Sequence, residues 1–278
     1  MDNISILTLN VEGYRRFYMQ SQGGNLSNLS ILDSIINECD PDILLLQEDI
    51  IPDKENEYPS GWVRVSVCES HKAHSVYDKD GNLKKICNSV LVRPQNLFKV
   101  TSQSQLNLDI RSDDNTYITH ERCGAIASFK NIIITSVHLS GGRFEDRQFN
   151  YFINLRDKQV SQLIGADIIA GDFNSNLYEE KVPTSHPVYV KLKTPIERQA
   201  FAKYFTSGHK PLLDADYLPV LVTQPTDVYG NTPDAVYYNP KKLLLITSYV
   251  VDCLKYRTHL NYPLLTDHNG IYCKFKCI

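Results

Sequence analysis

Ile168-Ile169-Ala170-Gly171-Asp172-Phe173-Asn174 is an apolar run of strand length that breaks at a glycine and delivers an aspartate and an asparagine just beyond it. With no charge inside it, the run fits a strand covered on both faces. The same arrangement recurs on either side. Ile43-Leu44-Leu45-Leu46, in a strand expected over 42–47, closes on Gln47-Glu48. A buried strand expected over 4–11 carries Leu7-Thr8-Leu9 followed by Asn10, and Ile133-Ile134-Thr135-Ser136-Val137 ends on His138. Toward the C-terminus, Asp267-His268 sits just before a closing strand expected over 270–275. Polar groups at strand ends can meet at one rim, where a packed core holds their backbone and their side chains face solvent.

Between these strands the pattern changes. Leu26, Leu29, Leu32 and Ile36 recur at three- and four-residue steps, which predicts an amphipathic helix that Asp40-Pro41 stops. Residues 61–129 read as short strands, with candidates over 62–67, 89–92 and 125–129 and a hairpin signal at Asp80-Gly81. A strand over 131–138 and a helix over 144–163, stopped by Gly165, follow. Thr194, Pro195 and Glu197 form a capping box with proline at the first helical position, which predicts a helix over 195–204. Strands over 235–238 and 242–251 close the order. Many strands with a few helices outside them suggest sheet packed on sheet under helical outer layers. Nothing marks an internal boundary, so one domain spanning 1–278 is expected.

Composition narrows the function classes. The chain is 42% hydrophobic, with 17 tyrosines suited to half-buried strands, which speaks against disorder. Its 29 basic and 32 acidic residues give a formal charge of −3. A broad surface for coating nucleic acid needs a basic excess, so any polyanion is expected to be met locally, in a cleft. The start, Met1-Asp2-Asn3-Ile4-Ser5-Ile6-Leu7, lacks the basic and apolar regions of a signal peptide, and no apolar run is long enough to span a membrane. Seven scattered cysteines without a CxxC pair argue against a disulfide framework and a structural zinc site. The expectation is an intracellular protein with reduced thiols and no obligate protein partner.

The residue types at the strand ends suit one reaction. A phosphate ester is anionic, so the attacking water and the leaving oxygen both need help. A hard cation held by carboxylate oxygen supplies Lewis acidity, a second carboxylate orients or deprotonates water, and imidazoles donate to phosphoryl oxygens. Leu9-Asn10-Val11, Gln47-Glu48, Val137-His138-Leu139, Gly171-Asp172-Phe173-Asn174 and Thr266-Asp267-His268, in this order and each beside an apolar strand, resemble the endonuclease/exonuclease/phosphatase superfamily. That group includes abasic-site endonucleases, pancreatic-type deoxyribonucleases, tyrosyl-DNA phosphodiesterases, neutral sphingomyelinases and inositol-polyphosphate 5-phosphatases.

The resemblance implies an α/β (α+β) four-layered sandwich, two mixed β-sheets face to face with helices on the outer faces. It also implies Mg2+, with Mn2+ as a substitute. Glu48 matches the main metal ligand, with Asn10 beside it and Asp267 as a carboxylate of the metal region. Asp172 matches the residue that activates water, and Asn174 the one that holds the phosphoryl group. His268 matches the histidine facing the scissile phosphate, Asp234 the aspartate that orients it, and His138 a second histidine. Arg156 and Gln159 resemble supporting residues on the helix after that strand, and Asn88 a phosphate-contacting asparagine. Thr266 stands where serine is usual, and Cys87 where glycine often precedes the asparagine. Gly141-Gly142-Arg143 lacks the lysine and spacing of a P-loop and reads as a turn, from which Arg143 and Arg147 are placed to reach a substrate phosphate. No motif aligns over 176–231, and His209 within it receives no role.

The leading expectation is hydrolysis of a phosphodiester, with nucleic acid as substrate. The alternatives are a lipid or inositol-phosphate phosphoesterase and, from another class, a catalytically silent binding module. The complete site set weighs against the last of these.

Overall fold

The computed structural model describes residues 3–11, 28–50, 59, 61–69, 76–77, 83–84, 86–108, 122–139, 149–177, 187–256 and 265–278. The first half of the chain runs β1 (Asn3–Asn10), α1 (Asn28–Cys39), β2 (Ile43–Ile50), β3 (Val63–Glu69), β4 (Val76–Tyr77), β5 (Leu83–Lys84), β6 (Ile86–Val92), β7 (Val100–Asn107), β8 (Cys123–Phe129) and β9 (Ile132–His138). The second half runs α2 (Phe149–Ser161), β10 (Ile168–Asp172), α3 (Pro187–Lys191), α4 (Pro195–Phe205), α5 (Lys210–Asp214), β11 (Leu218–Pro219), β12 (Asp234–Tyr238), β13 (Leu243–Val251) and β14 (Gly270–Cys277).

Two six-stranded sheets carry the molecule, in the orders β13-β14-β1-β2-β6-β3 and β11-β12-β10-β9-β8-β7. Each is mixed: β1 runs parallel to β2 and β9 parallel to β10, while the flanking pairs are antiparallel. Strand alternation explains the layers. Ile4, Ile6, Ile43 and Leu45 point into the space between the sheets, where they meet Ala125, Ile134, Ile168 and Val236. Their neighbours Leu7, Leu9, Leu44 and Leu46 point outward, onto Ile31, Leu32, Ile35 and Ile36 of α1. On the other side Val137, Ile169 and Tyr237 pack with Val160 of α2, Leu163 just past its end and Leu212 of α5. The layers are therefore helix, sheet, sheet, helix, as expected.

The capping box holds: Thr194 Oγ1 accepts from Glu197 N, and the Glu197 carboxylate accepts from Thr194 N at 3.0 Å. β7 is an addition to the expected strands; its residues alternate poorly because most of them are exposed. Asp80-Gly81 lies outside the described residues, but β4 and β5 on either side pair antiparallel, as a hairpin requires. One expectation is corrected. Cys68 of β3 and Cys123 of β8 are joined by a disulfide that ties the two sheets together. They lie 55 residues apart in sequence, and only the stacking of the sheets brings them into contact. No helix among the described residues is long and apolar enough to cross a membrane.

Candidate active site

Topology delivers the polar strand ends to one rim. β1, β2, β9 and β10 end there, and β12 and β14, being antiparallel to their neighbours, start there. Register does the fine placement. Asn10 is paired with Gln47, and Asp172 is in register with both His138 on one side and Asp234 on the other.

Asp172 is the hub. Its Oδ2 accepts from Asn10 Nδ2 at 2.9 Å and its Oδ1 from the backbone N of Asn174 at 2.7 Å. His138 Nε2 stands 3.5 Å and His268 Nε2 4.0 Å from the same Oδ2. Burial pushes the Asp172 carboxyl above the usual carboxylate range; His268 pulls it back and Asp234 adds to the rise. The turn that presents it depends on Gly171, whose φ is +146° and where a Cβ would fall 1.9 Å from the Val137 carbonyl oxygen. Asn174 follows at φ +51°, and its amide Nδ2 donates to the Leu139 carbonyl at 2.9 Å.

His268 Nδ1 lies 2.9 Å from Asp234 Oδ2. Burial alone lowers the pKa of this imidazole, but the attraction of Asp234, Asp172 and Asp267 outweighs it and holds the group well above the usual histidine value. Thr266 fixes the segment: its hydroxyl donates to the Asn10 carbonyl at 2.6 Å and accepts from His268 N at 3.1 Å. The hydroxyl usual at this position is thus present and engaged.

Glu48 completes the group. It takes a left-handed φ of +50° at a bulge in β2, with Oε1 3.4 Å from Asn10 Nδ2 and 3.6 Å from His138 Nδ1. Asn10 therefore bridges Glu48 and Asp172 as a hydrogen-bond donor. Arg122, not singled out in the sequence, also reaches this cluster. Its Nη1 lies 2.9 Å from His138 Nδ1. A guanidinium only donates, so His138 accepts at Nδ1 and carries its hydrogen on Nε2, toward Asp172. Burial lowers the guanidinium's pKa, with Glu48 and Asp172 opposing.

Other expected residues fall further out. Asn88 Nδ2 donates to the Cys123 carbonyl at 2.7 Å, a bond between the sheets. Arg156 is fully buried and bonds the Tyr204 carbonyl, the Tyr204 hydroxyl and Ser207 Oγ; Gln159 donates to the Leu108 carbonyl. Both secure α2 to its surroundings. Arg143 and Arg147 lie outside the described residues. His209 turns out to back the site: it stacks on Phe173 with ring centroids 5.4 Å apart, with Nε2 2.9 Å from Ser175 Oγ and Nδ1 2.8 Å from the Tyr237 hydroxyl.

No protein-family model and no curated protein matches the sequence. Solved structures share its fold. An endonuclease/exonuclease/phosphatase from Beutenbergia cavernae aligns with a TM-score of 0.62 at 13% identity, over 100% of this chain and 72% of its own. The human Nocturnin catalytic domain aligns at 0.56 and 17% identity, over 100% and 94%. D. rerio TDP2, in a complex with single-strand DNA product, aligns at 0.56 and 14%, over 99% and 100%. This is the endonuclease/exonuclease/phosphatase fold.

Within the endonuclease/exonuclease/phosphatase fold of this chain, the donor set can be tested against a divalent cation. Among the described residues no three His, Cys, Asp or Glu side chains form a ready metal cage. Mg2+ does not require one, since it binds through one or two carboxylates and keeps several waters. Glu48 is partly exposed at the rim, and Asp267 Oδ1 is buried without a hydrogen-bond partner. Anionic oxygen donors, one of them the buried Asp267 Oδ1, fit a hard cation.

Proposed function

We propose that this chain is a divalent-metal-dependent phosphodiesterase that hydrolyses a phosphate ester with an activated water, acting on nucleic acid. The observation that carries the reading is the convergence of Asp172, His138, His268, Glu48 and Asn10 on one rim, with both histidine Nε2 atoms within 4.0 Å of Asp172 Oδ2. Glu48 and Asp267, with Asn10 adjoining, are the residues that would hold Mg2+. The ion's contribution when bound is Lewis acidity toward the phosphoryl and leaving oxygens.

Each of the chain's own groups has a task suited to its surroundings. Asp172 takes the proton of the attacking water at Oδ2, and its raised affinity for protons makes it a better base than a solvated carboxylate. Asn10 and the Asn174 amide hold that carboxylate in one orientation, which is what in-line attack needs. His268, kept as imidazolium by Asp234, donates from Nε2 to a phosphoryl oxygen as charge builds there. His138, with its hydrogen on Nε2, is a second donor, and the Arg122 guanidinium behind it adds positive charge to a site that receives an anion. Asn174 is assigned to the phosphoryl group, whereas Asn88, buried and bonded to the Cys123 carbonyl, ties the two sheets together. Arg156 and Gln159 brace α2.

The nucleic-acid assignment draws on the TDP2 structure solved with single-strand DNA product, a property of that protein carried over here as a proposal. The test is a substrate panel with and without Mg2+: single-stranded, duplex, abasic and tyrosyl-linked DNA beside sphingomyelin and inositol phosphates. Metal-dependent cleavage of a DNA substrate supports the assignment. Turnover of only the lipid or inositol arm overturns the substrate, and no turnover anywhere returns the chain to the silent-binder reading.

A further inference from the structure

Glu48 sits in a backbone conformation that a residue bearing a Cβ rarely adopts, at φ +50°, where β2 slips register against β6 between Leu46 and Asp49. Strained positions of this kind persist only where the surroundings over-determine them. On the N-terminal side the anchor is Gln47, whose amide Nε2 reaches Thr8 Oγ1 at 3.1 Å, the Leu45 carbonyl at 3.0 Å and Ser136 Oγ at 2.9 Å. On the C-terminal side the anchor is Asp49. Its carboxylate is fully buried, and Arg64 closes on it as a fork, Nε to Oδ2 at 3.0 Å and Nη2 to Oδ1 at 3.1 Å. Ser89 Oγ adds a third bond to Oδ2 at 2.6 Å. β3 carries its own register shift between Arg64 and Ser66, beside the arginine that makes the fork.

We propose that Asp49 and Arg64, with Ser89, are positioning residues for Glu48: the buried fork locks the bulge and so aims the Glu48 carboxylate at the metal. This rests on Glu48 being a metal ligand, as proposed above. The chemistry favours a positioning role over simple stitching. A bidentate guanidinium–carboxylate pair fixes orientation as well as distance, and it grips the residue next to the strained one. A neutral or flexible partner would hold the strands together without fixing the direction of Glu48. Partners behind a metal ligand typically change metal affinity or activity by about 10–100-fold when removed.

The experiment measures Mn2+ affinity of the full chain by electron paramagnetic resonance, with thermal melting alongside. It compares wild type, Glu48→Gln, Asp49→Asn, Arg64→Lys and, as a control, Asp167→Asn. Asp167 is a buried carboxylate paired to Lys242 at 2.9 Å, at the other end of β10, so its loss lowers stability without touching the rim. The expected result is Mn2+ binding weakened about 10-fold or more in Asp49→Asn and Arg64→Lys, with Asp167→Asn unchanged in affinity at a comparable loss of melting temperature. Wild-type affinity in both Asp49→Asn and Arg64→Lys, with Glu48→Gln impaired, overturns the positioning role. Unchanged binding in Glu48→Gln, or none in wild type, overturns the metal assignment beneath it, which is a distinct result. Where the pair variants do not fold, Ser89→Ala decides: weakened binding supports the role and wild-type binding overturns it.

Discussion

Acidification offers a direct probe of the packing behind the Asp172 turn. His209 is buried, with Nε2 also 3.3 Å from the Ser175 carbonyl, which only accepts; that nitrogen therefore carries the hydrogen, and Nδ1 accepts from the Tyr237 hydroxyl. A second proton has no place, and burial lowers the imidazole from the ordinary 6.5 to about 4. The sign follows from linkage. The unfolded chain takes up a proton below about 6.5 that the folded chain refuses until about 4, so stability is full above that window and is lost as pH falls through it. Between about pH 7.5 and about pH 5 this group alone removes about 2 kcal/mol. Urea unfolding of wild type and His209→Gln at both pH values isolates it, because every other titrating group is common to the two. Wild type is expected to lose about 2 kcal/mol more than the variant on acidification. Equal losses would show that His209 is not held neutral in the fold.

Three further predictions use the same structure. Gly171→Ala forces a Cβ onto the Val137 carbonyl at a positive φ, and is expected to cost about 3 kcal/mol or more in chemical denaturation. Asp234→Asn withdraws the carboxylate that keeps His268 protonated, so the imidazolium is lost at lower pH; the alkaline limb of the kcat profile should move toward acid while the fold melts cooperatively. Thr194→Ala removes the acceptor of the capping box and is expected to lower stability by about 1 kcal/mol, read by urea titration.

The fold was legible where burial on both faces leaves a continuous apolar run. Ile43 to Leu46 and Ile168 to Ala170 are such runs, and the residues that follow them, Glu48 and Asp172, meet at one rim through Asn10 and His138. β7 was not legible, because an exposed edge strand of serine, glutamine and threonine carries no apolar alternation to read. His209 and Arg122 escaped for a different reason. A single histidine or arginine has no pattern around it, and their positions behind Phe173 and beside His138 exist only after the sheets and α5 have packed. The Cys68–Cys123 bond is of the same kind, a contact between sheets with no local signature. The left-handed Glu48 has none either, since glutamate is not a residue that announces such a turn.

Because Asp172 is aligned with His138 and Asp234 through the ladder itself, its placement owes nothing to the length of the 61-residue span that leads from one to the other, 173–233. A deletion inside β10 would turn the carboxylate to the opposite face and empty the rim. Lengthening or exchanging the loops of that span leaves the alignment standing, provided Thr226 still accepts from Asp234 N, Asp227 still pairs with His268, and something still fills the space behind Phe173. Variation is thus better tolerated in the loops of this crossover than in the strands, and new substrate preferences can be tried there without rebuilding the chemistry.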